Sequence, residues 1–414
     1  MKTSSPRVVV IGGGSGGLTT ASMLLRKRPN LKLTIVEPSD FHYYQPAWTL
    51  VGGGCYAAEN TRHLMSQVIP DGAEWVQQKA MGFAPEQQQV ELDDGRRLDY
   101  DILIVAMGIQ IDWDKVEGLN ETLGRNGVCS NYRYDMAPYT WECIQNHRDG
   151  PALFTQPVMP IKCAGAPQKI MYLAADAWKT AGKTPPISFH TPGGAMFGVP
   201  FYAEALDKVV ASYNIAPRFG EELISVDGER REALFRQGGD APHDVRRSFE
   251  MLHVTPPQSA PEVIKTSPLA AESGWMSVDK HSLQHTQFAN IFGLGDCTTT
   301  PNSKTAAAVR NQAPVVTSNV LKVLAGCNPD AHYDGYASCP LTTSRGKIIL
   351  AEFGYDGVVM PSFPLDPRIP RRSYWWLKES FLPRLYWHFM LKGRPGPDWH
   401  HARAFPATVP AITP

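Results

Sequence analysis

The sequence predicts an α/β chain: two Rossmann-like dinucleotide-binding domains followed by an amphipathic, membrane-associating C-terminal tail. Three observations predict it. Gly12-x-Gly14-x-x-Gly17 follows an apolar run at 8–11, and Glu37 ends the next apolar run twenty residues beyond the last glycine. A later apolar segment, 290–296, ends in Gly293-x-Gly295-Asp296. The segment 371–394 mixes aromatics with Lys and Arg and holds a single acid, Glu379.

Each element has a local reason. The run VVVI is continuously apolar, as in strands buried on both faces of a parallel sheet. Gly12 permits a tight turn, Gly14 lets the backbone approach a pyrophosphate, and Gly17 allows close helix–strand packing. The N-terminus of the following helix adds positive potential. A carboxylate at Glu37 suits a ribose 2′-hydroxyl and repels a 2′-phosphate. Around 80–100, short strands flanking Asp94–Gly95 form the pattern of an inserted β-meander. Further strands are expected at YDILIVAMG, PALFTQP, PISFHTP and EMLHVTP, with a helix at APQKIMYLAADAWKTA.

The organisation this implies is nested. Residues 1–115 begin the first dinucleotide domain, 116–285 form the second, 286–340 return to the first, and 341–414 form the tail region. The second domain lacks an intact fingerprint. FHTPGGAMFGVPFYAEALDK holds Gly193, Gly194 and Gly198 at the wrong spacing, with no acid ending a following strand. The reading is a duplicated fold without a nicotinamide site; a phosphate cradle with altered glycines is the alternative.

Composition bounds the rest. The formal charge is zero and the pI about 7.2, which argues against nucleic acid as a partner. The first strand begins by Arg7, so no signal or transit peptide is expected. No run approaches the roughly 18 apolar residues of a spanning helix. Seven cysteines, an odd number with no CxxC pair, argue against a zinc site or a disulfide framework, and no metal is expected. Cys163, in PIKCAGAPQK, precedes a helix start with Lys162 and Lys169 nearby, which biases its thiol toward thiolate. Cys339 lies in the aromatic, turn-rich YDGYASCPL. Each alone also reads as a small buried hydrophobe, and their wide separation leaves open whether they meet.

Seven segments, in order, resemble the sulfide:quinone oxidoreductase family, most closely the branch with the mitochondrial enzymes. They are VVVIGGGSGG, FHYYQPAWTLVGGG, PIKCAGAPQK, GLGDCTTTPNSKTAAAVRNQ, YDGYASCPL, KIILAEFGY and LPRLYWHFMLKGR. The resemblance implies a glutathione-reductase-like fold and noncovalent FAD. It assigns the cofactor to Gly12, Gly14, Gly17 and Glu37, with Gly295 and Asp296 at the ribityl chain. Ala106 and Gly108 belong to the strand–glycine segment, with Met107 where a Thr is usual. Pro46 is implied against the flavin ring, and Lys304 and Thr305 beside its edge that becomes negative on reduction.

The resemblance further implies that Cys163 and Cys339 form the redox pair, bridged directly or through extra sulfur. Hydrosulfide attacks this bridge and leaves a persulfide on Cys339, while the Cys163 thiolate donates to the flavin. The implied partners are hydrogen sulfide, ubiquinone or menaquinone, and sulfide or a thiol as sulfur acceptor. Assembly as a homo-oligomer stays open. Cys129 reads as structural, like Cys55, Cys143, Cys297 and Cys327.

In the tail, Pro383 is expected to split 371–394 into two segments, and the longest charge-free run, 385–391, cannot span a bilayer. Aromatics with basic flanks suit a helix pair lying in the headgroup layer, a peripheral, monotopic attachment. A docked helix or a dimer contact is the alternative. By resemblance, Phe353, Tyr355 and Phe381 line a quinone path. Two other functions compete. A type II NADH:quinone oxidoreductase needs an intact second fingerprint and neither cysteine. A flavin-bound redox sensor or membrane-docking protein needs no turnover.

Overall fold

In the computed structural model, which describes residues 5–397, 400 and 405, the first apolar run becomes β1 (Arg7–Ile11). Its four apolar side chains are almost wholly buried, because β1 has parallel neighbours on both sides. The chain continues into α1 (Ser15–Lys27), β2 (Lys32–Val36) and β3 (Ala73–Val76). The strands expected around Asp94–Gly95 form an antiparallel meander of β4 (Ala80–Ala84), β5 (Gln89–Leu92) and β6 (Arg97–Asp99). Gly95 takes the left-handed φ of +82° that this turn requires. The apolar β7 (Ile102–Val105) then returns beside β1.

A second parallel sheet follows. Its elements are β8 (Val128–Cys129), α2 (Ala137–Asn146), β9 (Ala152–Thr155), α3 (Ala166–Thr180), β10 (Ile187–Thr191), α4 (Pro200–Ser212) and β11 (Ala216–Phe219). Next come β12 (Glu221–Asp227), β13 (Glu232–Gln237) and β14 (His243–Ser248), antiparallel to one another, and then β15 (Met251–His253). The parallel strands lie in the order β8–β15–β9–β10–β11. The antiparallel strands escape a sequence reading because β14, HDVRRS, is polar and largely exposed. Beneath them, His190 bonds Glu221 at 2.7 Å and stacks on Phe235.

The chain then re-enters the first sheet as β16 (Ile291–Gly293), beside β7. The order becomes β16–β7–β1–β2–β3, all parallel. In open parallel sheets ligands bind beyond the carboxyl ends of the strands, where the order reverses; here that is beyond β1 and β7. The helix α5 (Ala306–Leu324) packs along α1, and a hairpin of β17 (Ala337–Ser344) and β18 (Lys347–Phe353) closes over α3.

Pro383 does not split the tail. Helical turns run without interruption from 372 to 390, with π-type turns at Leu377–Phe381 and Tyr386–Met390 flanking Leu382–Leu385. A proline removes one backbone donor, and a wide turn redistributes the neighbouring bonds so that the helix continues. The inner face docks on the body. Tyr374, Lys378, Tyr386 and Met390 are buried, and Ser22 Oγ of α1 donates to the Leu391 carbonyl at 2.6 Å. No described helix is long and apolar enough to cross a membrane.

Candidate active site

The three glycines do different work in the turn after β1. Gly12 sits at φ +102°, and a Cβ there would stand 2.5 Å from the Ala106 carbonyl oxygen. A Cβ on Gly17 would collide with the Gly12 carbonyl, so this glycine lets α1 lie against β1. Around Gly14 a Cβ would meet nothing within 4 Å. The space it leaves belongs to a cleft of about 500 Å³ bounded by the glycine loop, Glu37, Ala106, Gly108, Gly295, Asp296, Lys304 and Thr305.

Polar groups along this cleft suit a dinucleotide. Glu37 accepts from the Gly13 N–H at 2.7 Å and the Ser39 N–H at 2.8 Å, while burial pushes its carboxyl up. Two of its four lone-pair positions stay free for a ribose hydroxyl. Asp296 faces the cleft without a hydrogen bond from any described residue; burial raises its carboxyl, and Lys304 and Lys162 pull it down. A carboxylate so placed calls for hydroxyl donors. Thr305 caps α5, its hydroxyl accepting the Ala308 N–H at 3.1 Å. Lys304 reaches the Thr298 carbonyl at 3.0 Å and lies over Trp275. Pro46 lies in a short helical turn, Gln45–Ala47, and also lines the cleft.

The two cysteines meet in the same cleft region. Cys163 Sγ and Cys339 Sγ are 3.3 Å apart, brought together because β17 packs across the start of α3. Cys163 adopts φ +85°, a strained conformation for a residue with a Cβ, and it is held there by the turn into α3, where Ala166 N–H bonds its carbonyl. Its thiol lies well below the usual range. The Cys339 S–H is the main cause, burial opposes it, and Lys169, whose Nζ is 3.1 Å away, assists. Cys339 is pushed well above its ordinary value as the donor of the pair. So Cys163 carries the charge and Cys339 the proton.

Two further lysines stand by the pair: Lys378, which no sequence signal pointed to, and Lys162, expected there from its place beside Cys163. Lys378, from the tail helix, is buried beside Lys169 and the sulfurs; desolvation and Lys169 bring it down to about 7. Its Nζ is 3.4 Å from the Pro46 carbonyl. Lys162, held down to about 8 by burial, bonds Gln45 at 2.6 Å. Tyr386 is also a tail residue: its hydroxyl joins His42 Nε2 at 2.5 Å and Ser15 Oγ at 2.7 Å at the glycine loop. No spacing rule connects positions 378 or 386 to residues 13–46; only the docked tail does.

Of the three residues expected on a quinone path, one lines the cleft. Phe381 stands in its wall with Leu350, Phe363 and Leu377. Phe353 points instead into the core against Phe197 and Tyr202, because successive residues of β18 face opposite sides and Glu352 takes the cleft side. Tyr355 turns away, donating to the Lys280 carbonyl at 2.6 Å. Cys129, buried in β8, does not line the cleft.

A dinucleotide cleft opening onto a reactive thiol pair, on two linked parallel-sheet domains, defines a flavoprotein oxidoreductase. The family model described as pyridine nucleotide-disulphide oxidoreductase matches residues 6–134. The mitochondrial sulfide:quinone oxidoreductase of Mus musculus is 41% identical over 389 residues, spanning 93% of this chain and 86% of the relative. That of Dictyostelium discoideum is 43% identical over 396 residues, spanning 94% and 86%. The X-ray structure of the sulfide:quinone oxidoreductase from Aquifex aeolicus superposes with a TM-score of 0.76 at 21% identity, covering 95% of this chain and 93% of that one. This chain belongs to the sulfide:quinone oxidoreductase family. Its members are FAD-dependent flavoproteins, and the open space at Gly14, the remaining acceptor positions on Glu37 and the Asp296 carboxylate, which no described residue bonds, fit FAD.

Proposed function

We propose that the chain oxidises hydrosulfide at Cys163 and Cys339, passes two electrons to a membrane quinone, ubiquinone or menaquinone, and releases sulfane sulfur to sulfide or a thiol. The observation that carries this reading is a thiol pair 3.3 Å apart in which Cys163, with Lys169 on its sulfur, lines the cleft that fits the dinucleotide and Cys339 is buried directly behind it. At that separation the sulfurs are close to bonding, either directly or across one inserted sulfur.

In the oxidised pair, hydrosulfide attacks the bridge sulfur on Cys339. A new S–S bond forms there, the bridging bond breaks, and Cys163 leaves as thiolate. Lys169 receives that charge, which makes Cys163 the better leaving group. FAD, bound noncovalently along Gly12–Gly17, Glu37 and Asp296, supplies the two-electron acceptor between sulfur and quinone. Burial of Cys129 away from the cleft supports noncovalent attachment. The Cys339 persulfide then gives its outer sulfur to the acceptor thiolate and Cys339 leaves as thiolate; loss of two electrons from the two cysteine thiolates to that two-electron acceptor would restore their bridge.

The quinone enters from a membrane surface that the tail helix meets in the plane of the headgroups. Trp376 and Phe389 are exposed among Arg372, Arg384 and Lys392, and Phe381, which also lines the cleft, is partly exposed, a composition that suits that layer. Anaerobic mixing with sulfide, then NADH, while following visible flavin absorbance tests the proposal. Bleaching by sulfide alone, reversed by a ubiquinone analogue, is expected; bleaching by NADH alone would overturn it.

A further inference from the structure

Glu352 is used by nothing described so far. It lies on the cleft side of β18 and is only 3% exposed. Its Oε1 accepts from the Tyr336 phenol at 2.5 Å and the Ser362 hydroxyl at 2.6 Å, and its Oε2 accepts from the Ser362 N–H at 3.0 Å. Three donors fill three of four lone-pair positions and leave one on Oε2. No Lys or Arg among the described residues forms an ion pair with it. An ionised carboxyl buried without a cation is costly, and burial accordingly pushes Glu352 toward its protonated form. The titratable groups facing it are Tyr336, Tyr202 on α4, Tyr374 on the tail helix and His400.

The proposed reaction needs such a group. Oxidation of HS⁻ to sulfane sulfur releases two electrons and one proton, whereas reduction of a quinone to a quinol takes up two electrons and two protons. One proton per turnover must therefore enter from solvent and reach a quinone oxygen inside the cleft. Apolar Leu350, Phe363, Leu377 and Phe381 share that wall with Glu352.

We propose that Glu352 is the catalytic acid of quinone reduction, a role that rests on the quinone reading above. Its O–H bond breaks as an O–H bond forms on the quinone oxygen that has taken the electron pair. The remaining carboxylate is held by Tyr336 and Ser362 and regains a proton from solvent. His400, stacked on Tyr336 at 3.8 Å, pairs with the half-exposed Asp334 on that side.

The test uses full-length, FAD-loaded protein reduced with one equivalent of dithionite, so the result does not depend on sulfide chemistry. Reoxidation by decylubiquinone should be about 100-fold slower or worse in Glu352→Gln. Reoxidation by ferricyanide, which takes no proton, should stay at the wild-type rate. In the wild type, quinone reoxidation should fall as pH rises through the Glu352 titration, and this limb should vanish in the variant. Tyr336→Phe, which removes a donor to the carboxylate, should move the limb to higher pH. Unchanged quinone reoxidation in Glu352→Gln, an equal loss with both oxidants, or an unmoved limb in Tyr336→Phe would overturn the assignment. A wild type that decylubiquinone does not reoxidise, while ferricyanide does, would instead sink the quinone reading.

Discussion

His42 gives the glycine loop a built-in sensitivity to acid. Its Nδ1 is 2.9 Å from the Gly13 carbonyl oxygen, which can only accept, so Nδ1 carries the proton. Nε2 is then bare and accepts the Tyr386 O–H, whose oxygen in turn accepts from Ser15. Protonating Nε2 would break this chain inside a buried site, and burial lowers the imidazole from 6.5 to about 4. The folded pKa is depressed, so the stability is intact above 6.5. It is lost as pH falls from 6.5 toward 4, where the unfolded chain binds a proton that the folded one refuses. The slope is about 1.4 kcal/mol per pH unit and the total about 3 kcal/mol. His42→Gln retains a donor and an acceptor but cannot titrate. It should be less stable at neutral pH by about 1 kcal/mol, an imperfectly replaced hydrogen bond. Below about pH 5.5 it should become the more stable protein, because the wild type has by then lost more than that. Urea unfolding followed by tryptophan fluorescence at a series of pH values measures both curves. Parallel curves, with no crossing, would refute the reasoning.

The remaining predictions concern the sulfurs, the cradle and the tail. Cys163→Ser and Cys339→Ser should each abolish flavin bleaching by sulfide while retaining FAD. The double variant should be little worse than either, since one bridge is lost in all three; stopped-flow absorbance decides. Gly14→Val should fold normally and purify without flavin, because its side chain enters only the space reserved for the pyrophosphate. Gly17→Val should fail to fold, because its side chain meets the Gly12 carbonyl; circular dichroism and flavin content together separate the two outcomes. Replacing exposed Trp376 and Phe389 with Ser should reduce sedimentation with anionic liposomes and leave thermal stability nearly unchanged. Equal sedimentation would move the membrane contact elsewhere.

Much of the cleft was legible because its determinants are local. Gly12, Gly14 and Gly17 answer to steric demands within one turn, Glu37 ends the adjoining strand, and Thr305 caps the helix it begins. The residues expected on a quinone path were harder. Naming Phe353 required knowing which face of β18 meets the cleft, and a one-residue alternation exchanges Phe353 for Glu352. Pro383 misled for a related reason: proline's preference for breaking helices is a local rule, and docking of Tyr374, Lys378, Tyr386 and Met390 outweighs it.

By itself, then, the sequence determined the apolar strands, the glycine turn with its terminal acid, the thiolate-prone setting of Cys163 and the family resemblance. All of these are written in neighbouring residues or in ordered motifs. Only the tertiary structure decided that Cys163 and Cys339 touch, that Lys378 approaches them from the tail, that Tyr386 locks His42, and that Glu352 faces the cleft with no ion-paired Lys or Arg among the described residues. Such facts depend on contacts between segments hundreds of residues apart. Those contacts form because separate apolar faces bury one another, and the polar groups carried along must then find partners in whatever surroundings result.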